Sequence, residues 1–240
     1  MKNKDFFYLQ YNKINWQNQE KTKINSFVND FIIQNVILKK KGDKIKIFDI
    51  GFGIGFFLRV LQKNLSKFFK DIVIEGCEPS SKNYKNFKSK PFNMKNLKLR
   101  TFDKAFLRVD TKTKFDFIIS TYTFTAFIFD ELEKSVKKIN SMLNSDGKFI
   151  LVVANEKYLE EKLKSQRDLF IEKNILKFDN KKYNEVLHYS KIPQIGTIID
   201  YNREEKFYLD LFKKHGFDLD SKKDLDDNGF ICTIFVFSKK

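Results

Sequence analysis

Hydrophobic positions along this chain recur with two different periods, and the switches between them outline its elements. From Ser26, read as an N-cap, to Lys39, residues Phe27, Val28, Phe31, Ile32 and Val36 fall at helical intervals and predict an amphipathic helix that Lys41-Gly42-Asp43 ends. Lys46 to Ile50 has the length and apolar content of a buried strand. Phe56, Phe57, Val60, Leu61 and Leu65 then form one face of a second helix. Further strands are predicted at Asp71 to Glu78, closed by Pro79-Ser80, at Leu97 to Phe102, at Phe115 to Ser120 and at Lys148 to Val153, with a helix over Glu131 to Leu143. Beyond Asn155 the pattern changes. Glu156 to Lys177 reads as a charged helix, and Phe178 to Tyr201 has mixed polarity with loop signals at Pro193 and Gly196. A helix from Arg203 to Lys214, a stop at Gly216 and strands at Phe217 to Ser221 and Phe230 to Phe237 complete the series. The acidic link from Asp224 to Gly229 has the turn chemistry to pair those two strands antiparallel.

Alternation of strands with crossover helices predicts an α/β fold: a doubly wound, mostly parallel seven-stranded sheet with an antiparallel terminal hairpin and a helical lid insertion. With 240 residues, 42% of them hydrophobic, the chain can bury one full core. It is therefore read as a single domain over 1–240, with 1–40 as an N-terminal lid and helix region and 156–202 as an insertion over an acceptor pocket. Two cysteines, Cys77 and Cys232, make no disulfide framework or metal-ligand spacing, so the expected compartment is the reducing cytoplasm. No stretch approaches the ~18 apolar residues of a membrane span, and no membrane insertion is expected.

The net charge of +15 suggests nucleic acid at first sight. All but five of the 46 basic residues are Lys, however, and they are spread along the chain instead of gathered on one face. Arginine, the residue suited to bidentate phosphate and base contacts, is scarce, so a solvated surface accounts for the charge.

Candidate chemistry lies at strand ends. In open α/β sheets ligands bind beyond the carboxyl ends of the strands, where glycines let the backbone come close to them. Gly51, Gly53 and Gly55 occupy that position in Phe48-Asp49-Ile50-Gly51-Phe52-Gly53-Ile54-Gly55. A dinucleotide fingerprint needs a third glycine after a two-residue gap, but position 56 is Phe56, and the Gly-Lys-Ser/Thr of a phosphate loop is absent. Glu78 follows Gly55 by about 23 positions at the end of the second strand, where a carboxylate can accept both hydroxyls of a ribose.

These residues resemble the class I S-adenosylmethionine-dependent methyltransferase family. The glycine turn with Asp49 is similar to its first motif and Gly76-Cys77-Glu78-Pro79-Ser80 to its second, while Phe115 to Ser120 and Leu143 to Leu151 resemble its later strand motifs. The resemblance covers about residues 45–155 and implies a Rossmann-like methyltransferase fold with S-adenosylmethionine as cofactor. It further implies that Gly51, Gly53 and Gly55 hold the cofactor at the turn, with Asp49 at its amino-acid end, Glu78 at the ribose, Asp103 at the adenine amino group and Ser120 beside the methionine part.

The acceptor is less visible. The chain has neither the Asn/Asp-Pro-Pro-aromatic motif of amino-methylating nucleic-acid enzymes nor the Pro-Cys of cytosine-C5 enzymes; Ser120-Thr121-Tyr122-Thr123 stands in that place. Together with the two lid-like segments, this points to a small-molecule, carbohydrate-like acceptor. The alternatives are an RNA or protein methyltransferase, or a fold that binds without catalysis. No metal is expected. Where the acceptor must lose a proton a base is required, and His188 in the insertion is the candidate. Tyr122 is a candidate for the acceptor pocket. His215, at a predicted helix C-terminus, is read as structural.

Overall fold

Strand β1 (Lys44–Ile50) alternates exposed and buried at its start and then buries four residues in succession, Ile47 to Ile50, because both faces of the sheet are covered there. The computed structural model describes residues 23–90, 92, 96–155, 169–192, 196–227 and 230–240. Around β1, the strands β2 (Asp71–Cys77), β3 (Leu97–Phe102), β4 (Phe115–Thr121) and β5 (Leu143–Ala154) run parallel, and β10 (Phe230–Lys239) returns antiparallel between β5 and β9 (Phe217–Asp227). The order β3-β2-β1-β4-β5-β10-β9 is the predicted seven-stranded sheet, sheet A.

Two apolar layers flank it. Ile45, Ile47, Ile72, Ile74, Ile119 and Ile234 face one layer, closed by α1 (Lys23–Asn35), α2 (Phe56–Leu65) and α3 (Ser81–Lys88). Phe48, Ile118, Phe149, Leu151, Phe235 and Phe237 face the other, closed by α4 (Phe129–Met142) and α5 (Glu205–Lys214). Within the second layer Phe212 stacks on Phe237 at 4.2 Å and on Phe149 at 5.2 Å, and burial of each such ring is worth about 2–3 kcal/mol.

Two expectations are corrected. Helix α1 begins at Lys23, so Ser26 is inside it and is not its N-cap. The insertion is not helical over its described part: residues 169–203 form a second sheet, sheet B, of β6 (Leu169–Phe178), β7 (Lys181–Ile192) and β8 (Gly196–Arg203), all antiparallel. The reason is local. Asp179 and Asn180 both adopt positive φ, 52° and 61°, forming a two-residue turn of the kind whose twist matches paired strands. Phe178 and Tyr183 beside this turn anchor the hairpin on Phe129 and Phe207. The segment Phe6 to Trp16, residues 156–168 and Pro193 lie outside the described residues.

Candidate active site

The carboxyl ends of β1, β2, β3 and β4 lie side by side. Asp49 stands across from Gly76, Ile50 across from both Cys77 and Ser120, and Cys77 across from Phe102. At this edge the chain leaves β1 through the glycine turn and enters α2. Gly51, Gly53 and Gly55 have φ of 73°, 57° and 80°, where a side chain adds strain. Packing adds a second constraint. A Cβ at Gly51 would collide with Thr123, whose hydroxyl is fixed by donating to the Ile50 carbonyl at 2.9 Å, and a Cβ at Gly55 would collide with the Phe87 ring. Two of the three glycines are therefore required by the fold itself.

Phe52, between the glycines, turns into the core and packs on Phe87 at 4.7 Å. The Cys77 carbonyl accepts the Gly51 and Phe52 N–H groups at 2.8 and 3.2 Å. Gly76 allows β2 to approach so closely, since a Cβ there would lie 3.0 Å from the Asp49 carbonyl oxygen. Thr123 and Gly76 are the positions that sequence reasoning missed: a glycine inside a strand was the available signal for one, and none existed for the other.

Glu78 is 5% exposed and holds the turn together. Its Oε2 accepts the Gly53 N–H at 2.9 Å and its Oε1 accepts the Ser80 N–H at 2.8 Å. The Glu78 N–H donates to the Phe102 carbonyl at 3.0 Å, which brings Asp103, exposed at the end of β3, to the next position along the edge. The segment after Asp103 is tied to α4 by Lys138, whose ammonium donates to the carbonyls of Phe106 and Leu107 at 3.0 and 3.2 Å; burial holds its pKa down. Ser120 is fully buried at the end of β4, and its hydroxyl meets no hydrogen-bond partner among the described residues.

These features fit a nucleoside cofactor. The Ser120 hydroxyl is an orphaned buried group on the same edge, and the N-cap of α2 is Gly55, which offers no capping side chain, so the positive end of the helix lies at the turn.

The remaining candidates lie elsewhere. Tyr122 has φ 59°, packs against the layer of α1 and α2, and its phenol sits beside the Cys232 thiol, where burial pushes its pKa up. His188 belongs to β7 of sheet B. It is paired in register with Asp200 and, by strand alternation, is on the opposite face from Glu185. Sheet B joins sheet A through β8, which packs on residues 123–126, and through Arg203, which donates to the Phe127 carbonyl at 2.9 Å. His215 ends α5 with Nε2 3.2 Å from Glu133 Oε1, and burial lowers its pKa.

The family model for a methyltransferase domain matches residues 19–222, and the chain belongs to that family. No curated protein matches it in sequence. Solved structures share its fold. An S-adenosylmethionine-dependent methyltransferase from Clostridium acetobutylicum superposes with a TM-score of 0.62 at 15% identity over 93% of this chain and 95% of that one. The N-methyltransferase NodS from Bradyrhizobium japonicum, solved with S-adenosylhomocysteine, gives 0.64 at 8% identity over 97% and 98%. Magnesium protoporphyrin IX methyltransferase from Synechocystis, with bound S-adenosylmethionine, gives 0.63 at 11% over 100% and 98%. The expected fold class and family are thus both met.

Proposed function

We propose that the protein transfers a methyl group from S-adenosylmethionine to a small, carbohydrate-like acceptor, with the cofactor along the carboxyl edge of β1, β2, β3 and β4. The observation that carries this reading is Glu78: a buried carboxylate at the carboxyl end of β2, oriented by two backbone N–H groups of the glycine turn and of Ser80, at the position where a ribose would lie. The cofactor supplies an activated methyl group on a sulfonium. The chain's own part is positioning. Glu78 receives the ribose hydroxyls, Asp103 the adenine amino group and Ser120 the methionine end, while Asp49 and the turn of Gly51, Gly53 and Gly55 allow close backbone approach. Methyl transfer is an in-line displacement, so alignment supplies much of the acceleration. Sheet B serves as a cover that excludes water from the acceptor. Where the acceptor loses a proton, His188 takes it, oriented by Asp200 across the strand pair.

Isothermal calorimetry with S-adenosylmethionine and S-adenosylhomocysteine tests the reading, with binding of both expected; absence of binding for both overturns it. Glu78→Ala should weaken both by ~10–100-fold, the worth of hydrogen bonds to a charged group. Wild-type affinity in that variant would remove the ribose assignment. His188→Ala should lower kcat, with loss at low pH in the wild type, and an unchanged rate would take His188 out of the reaction.

A further inference from the structure

The loop from β3 to β4 begins at Asp103, the residue proposed for the adenine amino group, and it is fastened on both sides of that residue. Upstream, the Phe102 carbonyl accepts the Glu78 N–H at 3.0 Å. Downstream, Phe106–Arg108 form a short 3-10 turn. The Arg108 N–H donates to the Ala105 carbonyl at 2.9 Å and the Val109 N–H to the Phe106 carbonyl at 3.1 Å. Between the two fastenings lie Asp103, Lys104 and Ala105, the first two of them exposed.

The downstream fastening is made by Lys138 of α4. Leu132, Ser135, Val136 and Ile139 mark the buried face of that helix, and Lys138 lies half-buried at its margin. From there its ammonium donates to the carbonyls of Phe106 at 3.0 Å, of Leu107 at 3.2 Å and of Val109. It also stands 5.2 Å from the centre of the Phe106 ring. That ring packs at 5.8 Å on Phe48, the residue before Asp49, so the turn is tied to the glycine motif as well.

An ammonium has three N–H donors and no acceptor. Three backbone carbonyls use all of them, which leaves Lys138 nothing to offer a ligand directly. What it can govern is the loop. Hydrogen bonds from a charged donor are stronger than neutral ones, so the carbonyls are held firmly. A carboxylate on a loop that is ordered in advance spends less of its binding energy on ordering itself.

We propose that Lys138 is a positioning residue for adenine recognition: by holding the carbonyls of Phe106, Leu107 and Val109 it keeps Asp103 where it accepts from the exocyclic amino group, and so sets the preference for adenine over other bases. The inference rests on the proposed cofactor site and is independent of the acceptor.

Isothermal calorimetry with three ligands tests it: S-adenosylhomocysteine, its 2′-deoxy form, and S-inosylhomocysteine, which has a carbonyl in place of the adenine amino group. The wild-type protein should prefer the adenine ligand over the inosine one by at least about tenfold, the worth of a hydrogen bond to a charged group. Lys138→Met should cut that preference to about threefold or less while the preference for ribose over 2′-deoxyribose, read by Glu78, stays as in the wild type. Lys138→Gln, which keeps two of the donors, should fall between. A purely structural lysine would weaken all three ligands together, and an unchanged adenine preference overturns the proposal. Native-state hydrogen exchange needs no substitution: the Arg108 and Val109 amides should be protected before any ligand is added, and protection that appears only with S-adenosylhomocysteine also overturns it. Failure of the wild-type protein to bind any of the three would instead locate the error in the cofactor reading.

Discussion

In sheet A the central strand β1 buries Ile47, Phe48, Asp49 and Ile50 one after another, whereas β7 of sheet B buries Tyr183 and Glu185 and leaves Lys181, Lys182 and Asn184 at the surface. Sheet A lies between two apolar layers, and its stability is distributed over many rings and branched side chains. Sheet B rests on the rest of the molecule by one face. Near its attachment, part of the work of a core is done by the Glu185–Arg203 ion pair, the Arg203–Phe127 hydrogen bond and the Tyr183 hydroxyl donating to Asp210 at 2.7 Å. Distributed apolar burial tolerates single losses, while a localised polar attachment concentrates its dependence on a few atoms.

The sharpest way to break this comparison is Arg203→Met. It leaves Glu185 buried without its cation, and urea unfolding should show a loss of about 3–5 kcal/mol. Combining it with Glu185→Leu should recover most of that loss, because the buried charge is gone from both sides. Native-state hydrogen exchange on the single variant should show amides of β7 and β8 opening before those of β1 and β4; simultaneous opening would mean that the two sheets form one cooperative unit.

Gly55→Ala probes the strictest point of sheet A. Left-handed strain of about 1–2 kcal/mol adds to the collision with Phe87, giving an expected destabilisation of about 2–3 kcal/mol by urea unfolding. Phe87→Leu in the same chain should relieve the collision but not the strain. Recovery to the wild-type value would show that backbone conformation contributes little at this position.

A smaller effect of opposite sign belongs to sheet B. Asn180→Gly, at φ 61° in the hairpin turn, should raise stability by roughly 0.5–1 kcal/mol, since glycine adopts that conformation freely. The smallest effect concerns His215. Burial depresses its pKa in the fold, so the unfolded chain binds the proton more readily. Its contribution is complete above the ordinary value of 6.5 and declines as pH falls through the lower folded value, so Tm should drop modestly on acidification, and His215→Gln should flatten that slope.

The same contrast governs what was legible in the sequence. Sheet A was visible because strands buried on both faces read as unbroken apolar runs, such as Phe117-Ile118-Ile119, and β3 lies where it was predicted. Its extensions were not. β5 starts at Leu143, paired with Phe115, and a register shift carries Asn144-Ser145-Asp146-Gly147 before pairing resumes at Lys148, while β9 continues through the acidic stretch to Asp227 because pairing with β10 supplies what the side chains lack. In sheet B, β6 reads as helix because Glu172, Lys173 and Asn174 break its alternation, and β7 and β8 read only as mixed polarity; Asp179-Asn180 is the turn signal that marks them as paired strands. Of the site, the glycine turn and Glu78 were legible as local motifs. Thr123 was not, since its importance lies in a contact with Gly51 far away in sequence.

Cys77 lies in the apolar layer of α4 and α5, and Cys232 in the layer of α1 and α2. Burial pushes the Cys77 thiol well above its usual range and the Cys232 thiol up to about 11, so neither reacts as a thiolate in the closed molecule. The protein therefore carries one silent chemical reporter in each half of its sandwich. Pulsed alkylation followed by peptide mass analysis would time the opening of the two layers separately, without introducing a label or a substitution.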